Sequence, residues 1–401
     1  MTTNALPPSR KSAASLGLAL LLTALLPASL QAADVRDVRD VRDVRLVQIG
    51  FAGPLSGSSA QMGQSQAHAV ELALAEINAR GVTAGGRPLL FKLMTQDDRG
   101  DIHTATLVAN YLVKSEVVAV IGHWNTAASM RAAPIYHAAG IAQIAPGSSG
   151  RQYTQNAYAD SFRIVGHDDD GGRYASTFAL QQLKARRIAV IHDDTGFGTM
   201  LANQFMQGLQ GMQNHGGALV AQQTISSKTS DFNAALTEVR NKDADLIFFG
   251  GLGPQAAALK LAMRRMGINA TLLAADGIVS PTFLRLAGAD GEGTFGLAPG
   301  QAQEKMAGWK KFQDKYLATY GGPVELFAPF AYDAAYTIVA AIQQADSLEP
   351  ARIAAALHNL KYKGLTGTIA FDGEGNLLNP AYTIYQVRSG KWIPVQAFGG
   401  K

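Results

Sequence analysis

Apolar and polar positions alternate between two periods along most of the chain. Leu46 to Ala52 is a short apolar run with the character of a strand, and Gln66 to Asn78 carries Val70, Leu74 and Ile77 at helical spacing. Leu89 to Met94 reads as a strand ending at Gln96-Asp97-Asp98. A helix is predicted over Thr104 to Lys114 and a strand over Val117 to Ile121. A helix over Met130 to Ala139, broken by Pro134, and a strand over Ile141 to Ile144 follow. A second series starts at Phe162-Arg163-Ile164 and passes through Gly166 and Asp168-Asp169-Asp170 into a helix over Arg173 to Leu183. Strands are predicted at 187–192, 218–224, 246–250 and 271–275, with helices at 200–214, 231–241 and 255–266 between them. A long helix over Pro329 to Gln344 and strand-like segments at 368–371 and 382–388 close the chain. Repeated βαβ units imply doubly wound parallel sheets, and two series of similar length imply two α/β lobes.

The first 45 residues follow neither period. Arg10 and Lys11 precede an apolar run from Ala13 to Leu26, too short to span a bilayer comfortably and followed by small residues. Residues 1–32 are therefore expected to be a cleaved signal peptide, with cleavage near Ala32, rather than a membrane anchor. Asp34 to Arg45 repeats Asp-Val-Arg four times; a period of three with balanced charge suits no core element, so residues 33–44 are expected to be a solvated leader. The chain has no cysteine, which excludes the lipoprotein anchor that needs a Cys at the cleavage point, disulfides, thiol catalysis and cysteine zinc sites. The stability of an exported chain of about 370 residues must then come from its core, most simply as two domains. Losing residues 1–32 removes two basic residues and no acid, so the formal net charge falls from +4 to +2. No basic block with interleaved aromatics points to nucleic acid.

Enzyme and cofactor motifs are missing. Gly196-Phe197-Gly198 and Gly250-Gly251-Leu252-Gly253 follow strands but do not complete G-x-G-x-x-G, and there is no phosphate-binding P-loop, G-x-S-x-G or H-E-x-x-H. The eight histidines make no metal-ligand spacing. No cofactor or metal is expected. Polar residues do gather beyond the C-terminal ends of strands, where open α/β sheets bind ligands. His123-Trp124-Asn125-Thr126 follows one strand and Pro146-Gly147-Ser148-Ser149 the next, both offering hydroxyls and backbone N–H groups ahead of a helix. Asp276-Gly277 puts a carboxylate in the equivalent place of the second series. Each loop alone is equally an N-cap or a turn; together they could grip a zwitterion.

At these residues the chain resembles the leucine/isoleucine/valine-binding proteins, the periplasmic components of branched-chain amino-acid ABC transporters. The likeness runs from about Arg45 to near the C-terminus. It is carried by Gly53-Pro54-Leu55-Ser56-Gly57, Ala75-Glu76-Ile77-Asn78-Ala79-Arg80-Gly81, Asp97-Asp98, Val120-Ile121-Gly122-His123, Ala145 to Ser149, Ile191-His192-Asp193-Asp194 with Phe197-Gly198, and Tyr332-Asp333-Ala334-Ala335. The resemblance implies the type I periplasmic binding fold, two lobes joined by a three-crossover hinge. Lobe 1 would be 45–167 plus 300–370, and lobe 2 would be 168–299 plus 371–401.

It also implies an exported, soluble, monomeric and non-catalytic protein of the periplasm. Such a protein takes an amino acid into the interlobe cleft, with branched-chain or other hydrophobic side chains favoured, and delivers it to an inner-membrane permease. The ligand carboxylate would meet Thr126, Gly147 and Ser149, with Trp124, Asn125 and Ser148 beside them. Its ammonium would meet Asp276, next to Gly277. Met62, Phe197, Leu252 and Phe330 or Tyr332 would line the side-chain pocket. Met62, Phe197 and Leu252 stand where the family often has tyrosine, and Asp276 is one methylene shorter than the family's glutamate. The alternatives are an amide, urea or aromatic-acid ligand on the same fold, or a periplasmic enzyme.

Overall fold

The computed structural model describes residues 44–156 and 158–400, with the side chains of Gln213 and Asp276 outside that description. The expected signal peptide and residues 33–43 of the leader also lie outside the described residues. Two sheets organise the remainder. The first holds β1 (Arg45–Gly53), β2 (Val82–Ala84), β3 (Arg87–Asp97), β4 (Ala119–Gly122), β5 (Ala142–Ala145) and β6 (Ser161–Arg163), in the order β2-β3-β1-β4-β5-β6. All pairs are parallel except β2 with β3. The second sheet contains β7 (Arg187–Asp193), β8 (Ala218–Ile225), β9 (Leu246–Gly250), β10 (Thr271–Ala274) and β11 (Phe295–Pro299) in parallel pairs. The two-stranded ribbon β12 (Tyr362–Lys363) and β13 (Thr368–Ile369) stands apart. The chain then returns to the second sheet as antiparallel β14 (Ala381–Arg388) and β15 (Lys391–Gly399), giving the order β15-β14-β11-β10-β9-β7-β8.

Helices cover both sheets. They are α1 (Ala60–Arg80), α2 (Ile102–Lys114), α3 (Thr126–Ala138), α4 (Asp168–Gln181), α5 (Gly196–Gly211), α6 (Asn233–Asn241), α7 (Gly253–Arg265), α8 (Pro281–Ala287), α9 (Trp309–Tyr320), α10 (Ala328–Ala345) and α11 (Pro350–His358). Strands covered on both faces must be apolar along their whole length. Ala119–Gly122, Ala142–Ala145 and Leu246–Gly250 are buried at every position. The chain thus passes from the first sheet to the second after β6. It returns after β11 to lay α10 against α1, and crosses again before β14.

Several elements differ from the periodicity. α3 starts at Thr126 and runs through Pro134 without ending there. Proline removes one intrahelical hydrogen bond, but the face made by Ala132, Ala133 and Tyr136 is buried and holds the turn in place. Asp168, Asp169 and Asp170 form the first turn of α4 rather than a loop before it, where the partial positive charge of a helix N-terminus favours acids. β2 pairs with β3 through Gly85 and Gly86, at φ 58° and 73°, the left-handed pair that a tight hairpin turn requires.

Candidate functional site

Topology places the site. In the first sheet the strand order reverses between β1 and β4, and in the second between β7 and β9; ligands settle in the crevice outside strand C-termini at such points. A cavity of about 140 Å3 lies where the two sets of loops face each other. From the first sheet come Gly100 after β3, Trp124, Asn125 and Thr126 after β4, and Gly147 after β5. From the second come Thr195, Gly196 and Phe197 after β7, Leu252 after β9 and Gly277 after β10. Phe327, just before α10, completes the wall. The volume is below the ~300–1,000 Å3 of drug-sized pockets and suits a small metabolite.

The first-sheet half is tied down by buried polar groups. The two oxygens of Asp97 accept from the Leu55 and Arg99 N–H groups at 2.9 and 2.8 Å and from the Ser56 hydroxyl at 2.6 Å. Burial works to raise its pKa, but the Ser56 hydroxyl and these backbone donors hold it below the usual carboxylate value. Asp98 accepts from Gly100 N–H at 2.7 Å and meets His123 Nδ1 at 2.6 Å, both side chains fully buried, while His123 Nε2 lies 3.2 Å from the Tyr136 hydroxyl. Adjacent aspartates therefore fix the loops after β1, β3 and β4 together.

The loop after β5 is held from behind. Ser148 Oγ lies 2.7 Å from Ser129 Oγ and donates toward the carbonyls of His123 and Trp124 at 3.2 Å each. Arg163, fully buried, donates to the carbonyls of Ser148 and Gly150 at 3.1 and 2.9 Å and to Asn376 Oδ1 at 2.9 Å. Gly147 has no room for a side chain: a Cβ there would lie 2.1 Å from Trp124 Cδ1. Thr126 Oγ1 accepts from Gly150 N–H at 3.1 Å, which leaves its proton for another acceptor. Asn125 caps α3 without a side-chain cap bond, and its Oδ1 is buried with no partner among the described residues. An unpaired buried acceptor beside a cavity calls for a donor from a ligand or a water.

The second-sheet half is more apolar. Thr195 caps α5, accepting from Gly198 N–H at 3.0 Å while its hydroxyl donates to Asp193. Burial pushes Asp193 above its usual pKa, against the Thr195 bonds. A Cβ on Gly198 would fall 2.2 Å from Asp193 Oδ1 and 2.6 Å from the Gly250 carbonyl, so glycine lets α5 start against the end of β9. Phe197 and Leu252 are half-buried and face the cavity. Position 276 lies in the 3-10 turn Asp276–Ile278, directly before cavity-lining Gly277; the Asp276 side chain is outside the description.

Of the thirteen residues singled out from sequence, Trp124, Asn125, Thr126, Gly147, Phe197, Leu252 and Gly277 line this one cavity. Ser148 and Ser149 are buried behind it; Ser149 carries its carbonyl to Asp168 N–H at 2.9 Å. Burial pushes Asp168 up to about 6, with the Ser149 hydroxyl and the Arg163 charge opposing the rise. Met62 packs in the core. Phe330 borders a different cavity, of about 420 Å3, shared with Gly166, Gly300 and Lys361 at the crossovers. Tyr332 faces away from the cleft and donates to Glu76 at 2.6 Å. Sequence reasoning missed Phe327, which meets Trp124 edge-on at 5.9 Å and 63°, and missed Gly100, Thr195 and Gly196. The signal for Phe327 was an aromatic directly ahead of the Ala328-Pro329 helix start, three residues before Phe330. Gln61 of α1 accepts from the Thr282 hydroxyl of α8 at 2.9 Å, a bond between the layers of the two sheets.

A family model described as periplasmic binding protein matches residues 46–391. An amino acid binding protein of Pseudomonas aeruginosa is 31% identical over 346 residues, covering 85% of this chain and 90% of that protein. A Leu/Ile/Val-binding protein homolog of Brucella abortus is 29% identical over 349 residues, 86% of this chain and 91% of that one. Among solved structures, a branched-chain amino acid transporter substrate binding protein of Streptococcus pneumoniae in complex with isoleucine has a TM-score of 0.81 at 24% identity, covering 89% of this chain and 100% of that chain. A solute binding protein of an ABC transporter from R. palustris in complex with benzoate has a TM-score of 0.78 at 18% identity, over 88% and 96% of the two chains. At these identities the two structures establish the fold alone, a type I periplasmic binding fold.

Proposed function

The chain belongs to the periplasmic binding protein family, and from that membership and its cleft we propose that it is the solute-binding component of an ABC uptake system, holding one hydrophobic amino acid without turning it over. The observation that carries the reading is the polarity of the small cavity. One half supplies Thr126, Asn125 and the backbone at Gly147, and the other supplies Phe197 and Leu252, with Trp124 and Phe327 between them. The Thr126 hydroxyl and the backbone N–H groups suit a carboxylate, the unpaired Asn125 Oδ1 suits a donor such as an ammonium or a water, the apolar walls suit a branched side chain, and Asp276 is the counter-charge for the ammonium. Lobe 1 is 45–167 plus 300–370 and lobe 2 is 168–299 plus 371–401. Ligand touching both shifts the hinge toward the closed form, which then docks on a membrane permease. The chain works in the periplasm after export. Among the described residues no helix is long and apolar enough to cross a membrane.

Titration calorimetry against leucine, isoleucine and valine tests this, with small-angle scattering for closure. One site per chain and a smaller radius of gyration are expected. A ligand that binds only the native state at 100 times its Kd should add about 2.7 kcal/mol to stability. No heat and no stabilisation with any amino acid would refute the amino-acid reading. A second reading, an aromatic acid, is favoured by the edge-on pair of Trp124 and Phe327; benzoate in the same titration decides between them.

A further inference from the structure

Tyr332, which the cleft does not use, belongs to a third, open cavity of about 320 Å3 bordered by α1, α9, α10 and the β12–β13 ribbon. It shares no lining residue with the cleft cavity. Its wall is aromatic. Phe312 meets Tyr332 edge-on at 4.9 Å, Tyr332 meets Tyr336 at 4.9 Å, and Tyr336 lies nearly parallel to Tyr362 at 6.3 Å and 14°. The hydroxyls of Tyr332 and Tyr336 both donate to one oxygen of Glu76, at 2.6 and 2.7 Å, and Lys315 takes the other at 2.5 Å. Those bonds lock the two rings and use up their protons, so the rings offer faces rather than donors, one face of Tyr336 already carrying the Arg80 guanidinium 5.2 Å from its centroid.

The floor is equally fixed. Buried Asp333 accepts from the Leu365 and Thr366 N–H groups at 2.8 and 2.7 Å and from the Thr366 hydroxyl at 2.6 Å. Gly364 sits so close to it that a Cβ would lie 2.5–2.8 Å from the carboxylate atoms. Each acid here is satisfied from within. The cations are not: Arg80 is held by the Tyr336 hydroxyl at 3.0 Å, whereas Lys311 of α9 and Lys363 of β12 have no ion-pair or hydrogen-bond partner among the described residues, although both line the cavity. An open cavity with aromatic walls and two uncompensated ammonium groups, one from α9 and one from β12, fits a ligand that is flat and negatively charged.

We propose that this cavity is a second ligand site, outside the interlobe cleft, for a flat organic anion: a carboxylate or phosphate group between Lys311 and Lys363, with its aromatic body against Tyr332, Tyr336 and Tyr362. The test is calorimetry on the mature protein at low ionic strength with 1-naphthoate, phenyl phosphate and the neutral 1-naphthalenemethanol. The anion of the preferred type should bind, and the neutral analogue should bind about tenfold more weakly or worse. The better of the two anions identifies the charged group the site takes. Lys311→Glu/Lys363→Glu should weaken anion binding about tenfold, since exposed ion pairs are individually modest. If that double variant misfolds by circular dichroism, Lys311→Gln and Lys363→Gln singly should each weaken it about threefold. Trp124→Ala, which alters only the cleft, should leave the anion's affinity within about twofold. Binding lost in Trp124→Ala and kept in the lysine variants would assign the anion to the cleft and overturn the proposal. So would absence of binding by both anions at about 10 mM, or equal affinity for the neutral analogue.

Discussion

Gly147→Ala is the most direct probe of how the cleft is built. Gly147 does not have a left-handed φ, so its requirement is space. The new Cβ would sit 2.1 Å from Trp124 Cδ1 and 2.6 Å from Nε1, and ordinary contact begins near 3.4 Å, so one partner must move by about 1.3 Å. The indole cannot swing freely, because it is almost wholly buried and lies edge-on to Phe327. The loop cannot retreat freely either, because Ser148 and Gly150 beside it are held by buried Arg163. Overpacking of this kind costs about 1–3 kcal/mol. In the free protein part of that strain relaxes by distorting the loop, and a ligand must then restore the native arrangement. The loss of folding stability and the loss of binding energy should therefore sum to about 1–3 kcal/mol. If binding takes most of it, affinity falls about 10- to 100-fold.

Urea unfolding without ligand gives the first term and leucine calorimetry the second. Gly196→Ala is the control for stability: it also lines the cleft, but its Cβ would meet nothing within 4 Å. That substitution should leave the unfolding midpoint unchanged or slightly raised at the start of α5. A Gly147→Ala protein with wild-type stability and wild-type affinity would show that the loop slides past the indole at no cost, and the account of a fixed half-site would fail.

Two further outcomes follow from the same geometry. Asp276→Asn keeps the size of the side chain but removes the proposed counter-charge. Because leaving a buried charge unpaired costs about 3–5 kcal/mol, leucine should bind at least about a hundredfold more weakly while the unfolding midpoint holds; near-native affinity by calorimetry would reject the ammonium role. Glu325 is buried beside Ser65, Tyr316, Thr282 and Arg285, and burial pushes it from an ordinary 4.5 up to about 7, with the nearby Thr282 hydroxyl and the Arg285 charge opposing. A raised carboxyl pKa means the folded chain holds the proton more tightly than the unfolded one, so this group's contribution is full below about pH 4.5 and is lost as pH rises through about 7, roughly 3 kcal/mol in all. Asp168 and Asp333 are pushed up to about 6 by burial and slope the same way, so the measurement is the difference between wild type and Glu325→Gln. The variant should gain relative stability between pH 5 and 7.5, and parallel profiles would refute the assignment.

The parallel strands were readable because a strand buried on both faces has no polar position to confuse its period; Leu246–Gly250 and Ala119–Gly122 are of that kind. The loops that line the cleft were readable for a topological reason, since a doubly wound sheet leaves only strand C-termini free to face a ligand. What the linear pattern lacked were features decided by contacts distant in sequence. Phe327 reaches the cleft because the chain crosses back to the first sheet and packs α10 on α1. Three residues of β2 are too few to show an alternation, and the first turns of α1 hold, besides Met62, only small and polar residues that helical periodicity does not mark. The Ser148 hydroxyl looks like a ligand donor in a list of residues, yet its neighbours are Ser129 and the loop carbonyls, while Ser149 accepts the Asp168 N–H at its backbone carbonyl. A hydroxyl in such a loop serves equally as a brace or as a donor, and only its distances to neighbours decide.

That division between brace and donor bears on how the cleft discriminates. Asp97, Asp98, His123, Ser129, Ser148 and Arg163 are buried or bonded to backbone behind the first-sheet loops and hold Thr126 and Gly147 in place before any ligand arrives. Donors fixed in advance lose little freedom on binding, so on the proposed function their interaction with a carboxylate would be nearly the same for every amino acid and would set the class of ligand rather than its identity. The second-sheet half has fewer braces and presents Phe197 and Leu252 as half-buried apolar surface. Apolar walls separate ligands differing by one methylene by only about 1–3 kcal/mol. On the proposed function, choice among leucine, isoleucine and valine would rest on Phe197, Leu252, Trp124 and Phe327, and could change without disturbing the braces, because no side-chain hydrogen bond of the first-sheet network passes through Phe197, Leu252 or Phe327, and Trp124 enters it only through its backbone carbonyl.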